Sequence, residues 1–459
     1  MSHGTPLFSQ IVWQNRLYDS GLIMKPKFTA EDTKVKRLGP ATIKSPMNLS
    51  HGRSLNEQIL YHPYPGLNVM EPPVAFELSQ PEEYIYFDPT KVTAGIVTCG
   101  GLCPGLNNVI RAVVLGLYHG YHVRSIFGIR YGFQGFIPEY GHPLMPLTPD
   151  VVADIHEQGG TILGSSRGAQ SIERIVDALE RQNMNMLFII GGDGTLNAAA
   201  KIAREVSERG LKIAVVSIPK TIDNDISCVS RSFGFETAVD TATQAIQCAH
   251  TEAQSYPNGI GLVKLMGRYS GFIAATAAVA QRDVNFVLIP EVEFELEGPR
   301  GFFEVLRSRL EKRSHAVIVV AEGAGQYFFE SDEVKTDESG NIRLKDIGKY
   351  LQDAIQKYFQ KLNIEINLKY IDPSYIIRSV SANTNDGLFS AILGQNAVHA
   401  AMAGKTEVLV SIWHGVYCQL PIQLAIAERK QIHPSSRLWI NVLQSTGQPE
   451  FINEPSPGT

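Results

Sequence analysis

Long apolar runs are missing from this 459-residue chain. None approaches the ~20 consecutive residues a helix needs to cross a bilayer. The N-terminus lacks a basic stretch followed by an apolar one, so no export is expected. The final Ser456-Pro457-Gly458-Thr459 is not a peroxisomal address. Cysteine is scarce, with five irregularly spaced residues. Cys99 and Cys103 flank a glycine turn, but no histidine or second cysteine pair completes a zinc set, so reduced thiols in the cytosol are expected. Excess positive charge is absent too. A formal net charge of −5 argues against a nucleic-acid binder held by general electrostatics and leaves room for a local basic pocket. Two phosphate fingerprints are also missing. No Gly-Lys-Ser/Thr follows the glycine turns, and none has the Gly-x-Gly-x-x-Gly spacing of dinucleotide sites.

What remains is the composition of a folded globular protein, 44% hydrophobic and 19% charged. The length predicts two or three domains. Residues up to about Thr90 lack sustained periodicity and read as an extension wrapped on the surface with short helices. From Lys91 the pattern changes. Ala94–Thr98 reads as a strand, followed by Gly100-Gly101-Leu102-Cys103-Pro104-Gly105 and a helix with Leu106, Val109, Ile110, Val113, Val114 and Leu117 on one face. Strand, glycine turn and helix recur at 187–204, and a longer helix is predicted over 237–254. Further strands fall near 261–265, 286–290, 316–321 and 408–413, and 330–347 reads as a polar surface excursion. Such alternation predicts α/β architecture with mostly parallel sheets covered on both faces.

The chemistry concentrates at two strand ends, where open parallel sheets place ligands. Strand 186–190 runs into Gly191-Gly192-Asp193-Gly194-Thr195, exposing a carboxylate beside bare amides. Its natural use is to hold magnesium against polyphosphate oxygens, against the alternative of a plain turn aspartate. The run 213–218 ends in Pro219-Lys220-Thr221-Ile222-Asp223-Asn224-Asp225. Asp223 is the general-base candidate, since a sugar hydroxyl attacks phosphorus well only when a carboxylate takes its proton. Lys220 would supply positive charge to the transferring group. Asp225 would orient substrate or metal, or merely cap the next turn. Gly100 and Gly101 fit a phosphate-facing turn or an ordinary strand–helix turn. Arg167, Arg268 and Arg378 stand in glycine-rich or strand-end contexts and suit a ligand with several phosphates, although any one arginine is more often a surface charge. Glu322 would bind sugar hydroxyls or cap a turn.

In this order, GIVTCGGLCPGLN, GGTILGSSR, GGDGT, IPKTIDND, SFGFETAV, KLMGRYSGF, VLIPE, AEGAGQ and YIDPSYIIR resemble the phosphofructokinases over residues 91–430. GGDGT alone also occurs in NAD kinases and lipid kinases; the ordered set is far more specific. The resemblance implies two Rossmann-like domains facing a central cleft, and phosphoryl transfer to the 1-hydroxyl of fructose 6-phosphate. It implies a donor domain of 91–233 plus 378–430, a sugar-phosphate domain of 234–377, an extension of 1–90 and a C-terminal segment of 431–459. By matching positions, Asp193 serves the Mg2+–polyphosphate complex. Gly100, Gly101, Arg167, Gly192, Gly194 and Thr195 line the donor. Asp223 is the base, with Lys220, Thr221 and Arg268 at the reacting centre. Thr221, Asp225, Met266, Gly267, Arg268 and Glu322 hold the sugar, and Lys369, Tyr375 and Arg378 its 6-phosphate.

Donor identity is pulled two ways. Pyrophosphate users typically carry aspartate where Gly194 stands, so the glycine leaves room for an α-phosphate and favours ATP. Lys220, in contrast, is the pyrophosphate-type residue. The mixture is similar to the plant and trypanosomatid ATP-dependent branch. Pyrophosphate dependence and a silent regulatory subunit are the alternatives. Bacterial relatives lend two arginines from a neighbouring subunit to the 6-phosphate; here Gly259 and Lys369 align there, and Lys264 is a candidate replacement for the lost charge. A homotetramer in the cytoplasm, with no nucleic-acid or membrane partner, is expected.

Overall fold

The computed structural model describes residues 27–47, 57–62, 72–329 and 343–453. Two sheets organise them. The larger begins with β1 (Gln58–Leu60), β2 (Ala75–Leu78), β3 (Thr93–Thr98), β4 (Ser125–Ile129), β5 (Met145–Pro146), β6 (Met186–Gly191) and β7 (Ala214–Pro219). The smaller holds β8 (Gly259–Leu265), β9 (Phe286–Leu288), β10 (His315–Ala321) and β11 (Asn367–Ile371). The chain then returns to the larger sheet as β12 (Val408–Trp413) and β13 (Val416–Pro421). Among the described residues the orders are β1-β2-β13-β12-β7-β6-β3-β4-β5 and β9-β10-β8-β11.

The centre of the large sheet, β12-β7-β6-β3-β4, is parallel, and its edges are antiparallel. The smaller sheet is parallel throughout. Every residue of β6 and β7 is buried, as expected of apolar runs with helices on both faces. Register aligns their ends: Pro219 lies opposite Gly191, and Thr98 opposite Ile190. In the second sheet Leu265 lies opposite Ala321. Residues that follow both sets of carboxyl ends line one gap.

Helix α1 (Leu106–Leu115) follows β3 and α2 (Asp193–Glu208) follows β6. The long α3 (Phe235–Gln254) carries the chain from one sheet to the other. Its Ala238, Ala242, Ile246 and Ala249 sit in a core that also contains Ile96 of the first sheet and Val263 of the second. Small residues on that face let the helix lie close to β8. A Cβ on Gly259 would meet the Ala253 carbonyl at 1.9 Å, so only glycine fits where β8 starts.

The extension is not merely wrapped on the surface. β2 pairs with β13, and Phe76 is fully buried. Lys36-Arg37 pairs with Thr406-Lys405. These strands are two to four residues long, too short to show a period in the sequence. Of the polar excursion, 330–342 lies outside the described residues; Asp346 caps the helix Ile347–Lys361 through the amides of Gly348 and Lys349.

Candidate active site

A cavity of about 620 Å3 opens where the two sets of strand ends face each other. The first sheet contributes Gly100 and Gly101 after β3, Gly192 to Thr195 after β6, and Lys220 to Asp223 with Asp225 after β7. The second contributes Met266, Arg268 and Tyr269 after β8 and Glu322 after β10. Arg167, Arg378 and Arg429 complete the charged wall.

Asp193 is the first residue of α2, where unpaired amides and the helix dipole favour negative charge. Asn197, one turn on, donates to the Asp193 carbonyl at 3.0 Å. The turn around Asp193 is tight. A Cβ on Gly191 would stand 2.3 Å from Thr195, and one on Gly192 would stand 3.1 Å from the Lys220 carbonyl. A Cβ on Gly194 would meet nothing within 4 Å. Packing therefore requires glycine at 191 and leaves 194 open.

The β7 turn is built from its own side chains. The Thr221 hydroxyl accepts from the Asp223 amide at 3.1 Å and donates to Asp225 Oδ1 at 3.1 Å. Asn224 takes a left-handed φ of 54°, and its side-chain oxygen accepts from the Ser232 amide at 3.1 Å. Asparagine tolerates that backbone better than most residues. From the second lobe, Ser270 Oγ donates to the Asp223 carbonyl at 3.1 Å. The Asp223 carboxylate is left with a buried, unpartnered Oδ1. Burial pushes its carboxyl well above the usual carboxylate range, and Asp225 and Glu322 push the same way. Burial raises Glu322 as well, opposed by Arg268. Lys220, whose ammonium burial pulls down, donates to the Gly101 carbonyl at 2.7 Å. An acceptor carboxylate and a desolvated cation thus meet in one space, a pairing suited to moving a proton while charge shifts on a neighbouring group.

The donor set can also be tested against a cation. Among the described residues no group of three or more His, Cys, Asp or Glu could hold a metal ion. Asp193 presents one hard oxygen ligand at the cavity wall. That fits magnesium, which keeps several waters and binds through one or two carboxylates plus substrate phosphates.

Several expected residues lie elsewhere. Tyr375 is 81% exposed and does not line the cavity; the guanidinium of Arg378, which does, sits 5.2 Å from its ring centroid. Lys369 is exposed on β11 with its ammonium 5.5 Å over the Tyr256 ring. Gly267, with φ of 126°, shapes the turn and does not line the cavity. Lys264 does not supply spare charge, because it pairs with Asp372 at 2.8 Å and Asp346 at 3.2 Å. Arg378 reaches the glycine turn: a Cβ on Gly101 would lie 4.0 Å from its Nη1. Sequence reasoning missed Arg429, which pairs with Asp193 at 2.5 Å and with Asp225 at 3.4 Å. It stands in Ala427-Glu428-Arg429-Lys430-Gln431, where no glycine turn or strand end marks it.

Two parallel α/β lobes with glycine turns, paired aspartates and a basic wall define a phosphotransferase-type cleft. Comparison with known proteins narrows this. The chain belongs to the phosphofructokinase family, whose model, described as "Phosphofructokinase", matches residues 93–401. It is 55% identical over 382 residues to "ATP-dependent 6-phosphofructokinase" of Borreliella burgdorferi, covering 82% of this chain and 86% of that one. It is 50% identical to "ATP-dependent 6-phosphofructokinase 5, chloroplastic" of Arabidopsis thaliana, covering 81% of this chain and 69% of that one. A solved pyrophosphate-dependent phosphofructokinase from Marinobacter aquaeolei shares the fold, with a TM-score of 0.64 and 19% identity over 78% of this chain and 92% of that one.

Proposed function

We propose that the protein is an ATP-dependent 6-phosphofructokinase that transfers the γ-phosphoryl group to the 1-hydroxyl of fructose 6-phosphate. The products are fructose 1,6-bisphosphate and ADP. The observation that carries this reading is the Asp223 carboxylate, unpartnered at Oδ1, in a cavity shared with Asp193. High-identity relatives named as ATP-dependent 6-phosphofructokinases support it.

In this reading Asp223 accepts the proton of the sugar hydroxyl as the new O–P bond forms and the β–γ bridging oxygen departs with ADP. Lys220 and Arg268 offset the charge on the transferring group. Thr221 and Asp225 fix the turn that aims Asp223. Asp193 would hold Mg2+, which when bound neutralises polyphosphate charge and polarises the transferred group. Gly100, Gly101, Arg167 and 192–195 cradle the donor. Met266, Glu322 and Arg378 hold the sugar phosphate, Gly267 shapes the turn that carries Met266 and Arg268, and Tyr375 and Lys369 would reach it only in an assembly. Residues 91–233 with 378–430 form the donor domain, and 234–377 the sugar domain. The enzyme works as a cytoplasmic homotetramer.

ATP is favoured over pyrophosphate because a Cβ at position 194 would meet nothing within 4 Å, which leaves room for a nucleotide's α-phosphate in this reading. Steady-state assays with a panel of donors test the reading. Turnover with ATP is expected; turnover with pyrophosphate and none with ATP would overturn it.

A further inference from the structure

We propose that Arg429 is a positioning residue that holds the Asp193 carboxylate in the unloaded enzyme and yields it when a divalent cation arrives. Cation and guanidinium then compete for one carboxylate. The inference rests on the functional reading above, which gives Asp193 its metal.

The guanidinium spans two strand ends. Nη2 donates to Asp193 Oδ2 at 2.5 Å and Nη1 to Asp225 Oδ2 at 3.4 Å. Its carbon also lies 4.2 Å from the centroid of the Tyr269 ring, on the loop after β8. Both members of the Asp193 pair are about one-third exposed, and such a pair adds little to stability. Fold maintenance is therefore a poor explanation for it. What the pair does is place a positive charge against one oxygen of the carboxylate that a metal would need.

The backbone around Arg429 is fixed to both lobes. The Lys430 amide donates to the Asp225 carbonyl at 2.9 Å, and Arg429 itself bridges to Ile226. Gln431 Nε2 donates to the Tyr269 carbonyl at 3.0 Å. The Ile432 amide donates to Glu291 at 2.9 Å, and Glu291 also accepts from Gly271 at 3.0 Å. Release of Asp193 thus leaves the clasp intact. The guanidinium stays on the Tyr269 face and on Asp225, within the cavity that the polyphosphate enters.

The test is Mn2+ binding by electron paramagnetic resonance to the full chain, without nucleotide or sugar. Arg429→Met removes a unit positive charge next to the ligand oxygen and should tighten Mn2+ binding by roughly tenfold or more. Arg429→Lys, a compact cation without the planar fork, should give a smaller gain. It also covers the case in which the methionine variant fails to fold. Adding Asp193→Asn to either variant should abolish the gain. Equal Mn2+ affinity in wild type and variants, or a gain that survives loss of Asp193, overturns the proposal. Fructose 6-phosphate turnover is measured on the same wild-type sample. Its absence would sink the functional reading, whereas equal affinities in an active enzyme sink only this inference.

Discussion

Lys220 Nζ donates to the Gly101 carbonyl at 2.7 Å, tying the end of β7 to the glycine turn after β3. The same ammonium also lies close to the preceding glycine. A Cβ on Gly100, whose φ is 83°, would stand 3.4 Å from the same nitrogen. A methionine at 220 keeps the bulk but orphans a carbonyl, at a cost of about 1–3 kcal/mol. The larger effect should be kinetic. We expect Lys220→Met to lower kcat by roughly 10²–10³, the range for removing one electrostatic donor. A coupled assay checks this, with circular dichroism as the control for folding.

Asp223 should be the more sensitive position. Replacement by alanine removes the proton acceptor and should lower kcat by about 10²–10⁴ with little change in nucleotide affinity. The pH profile follows from the direction of its shift. Burial, Asp225 and Glu322 all raise the Asp223 carboxyl, so the neutral form persists to higher pH than an ordinary aspartate allows. A base must be ionised to work, so kcat/KM should rise with pH through a limb above the usual carboxylate range. Asp225→Asn removes one negative neighbour and should move that limb to lower pH. A limb that stays put in Asp225→Asn would show that Asp223 is not the titrating group.

The parts of this fold legible in the sequence were those with one strong period. β6 and β7 stand out because burial on both faces leaves an unbroken apolar run, and α3 because alanines recur along one side. β1 and β2 did not, since strands of three and four residues carry no measurable alternation. Site residues followed the same logic. Asp193 and Asp223 lie at strand ends beside turn residues, where physical chemistry predicts ligands. Arg429 arrives from more than 200 residues away and meets both strand ends only through tertiary structure. Lys264 shows the converse: a charge placed on the right strand face says nothing about what neutralises it, here Asp372 and Asp346.

Gly194 offers a test of donor choice that spares the fold. A Cβ there meets nothing within 4 Å, so Gly194→Asp should fold with unchanged thermal stability. Its carboxylate would enter the cavity beside Asp193 and repel a nucleotide's α-phosphate. We expect KM for ATP to rise about tenfold or more, equivalent to ~1.4 kcal/mol, with fructose 6-phosphate affinity little changed. Unchanged ATP kinetics in this variant would mean that the nucleotide runs elsewhere.

The extension should prove indispensable for a reason unrelated to catalysis. Lys405 is about 1% exposed and pairs with Glu77 at 2.6 Å and Glu82 at 2.9 Å, both from before residue 90. Arg37 pairs with the same two carboxylates. Burial alone would raise the Glu82 carboxyl, but Arg37 and Lys405 outweigh it and hold it below its ordinary value. The stability this contributes is present above the unfolded-state pKa and is lost as pH falls through the lower folded-state value. Acid should therefore loosen the extension first. Lys405→Met leaves two carboxylates facing each other with only Arg37, about one-third exposed, and should cost about 3 kcal/mol, the low end for breaking a buried pair. Adding Glu77→Gln and Glu82→Gln removes the uncompensated charge and should recover most of that loss, read as urea midpoints at neutral pH. If the triple variant is no more stable than Lys405→Met alone, the damage lies in packing and the ionic account of the extension is wrong.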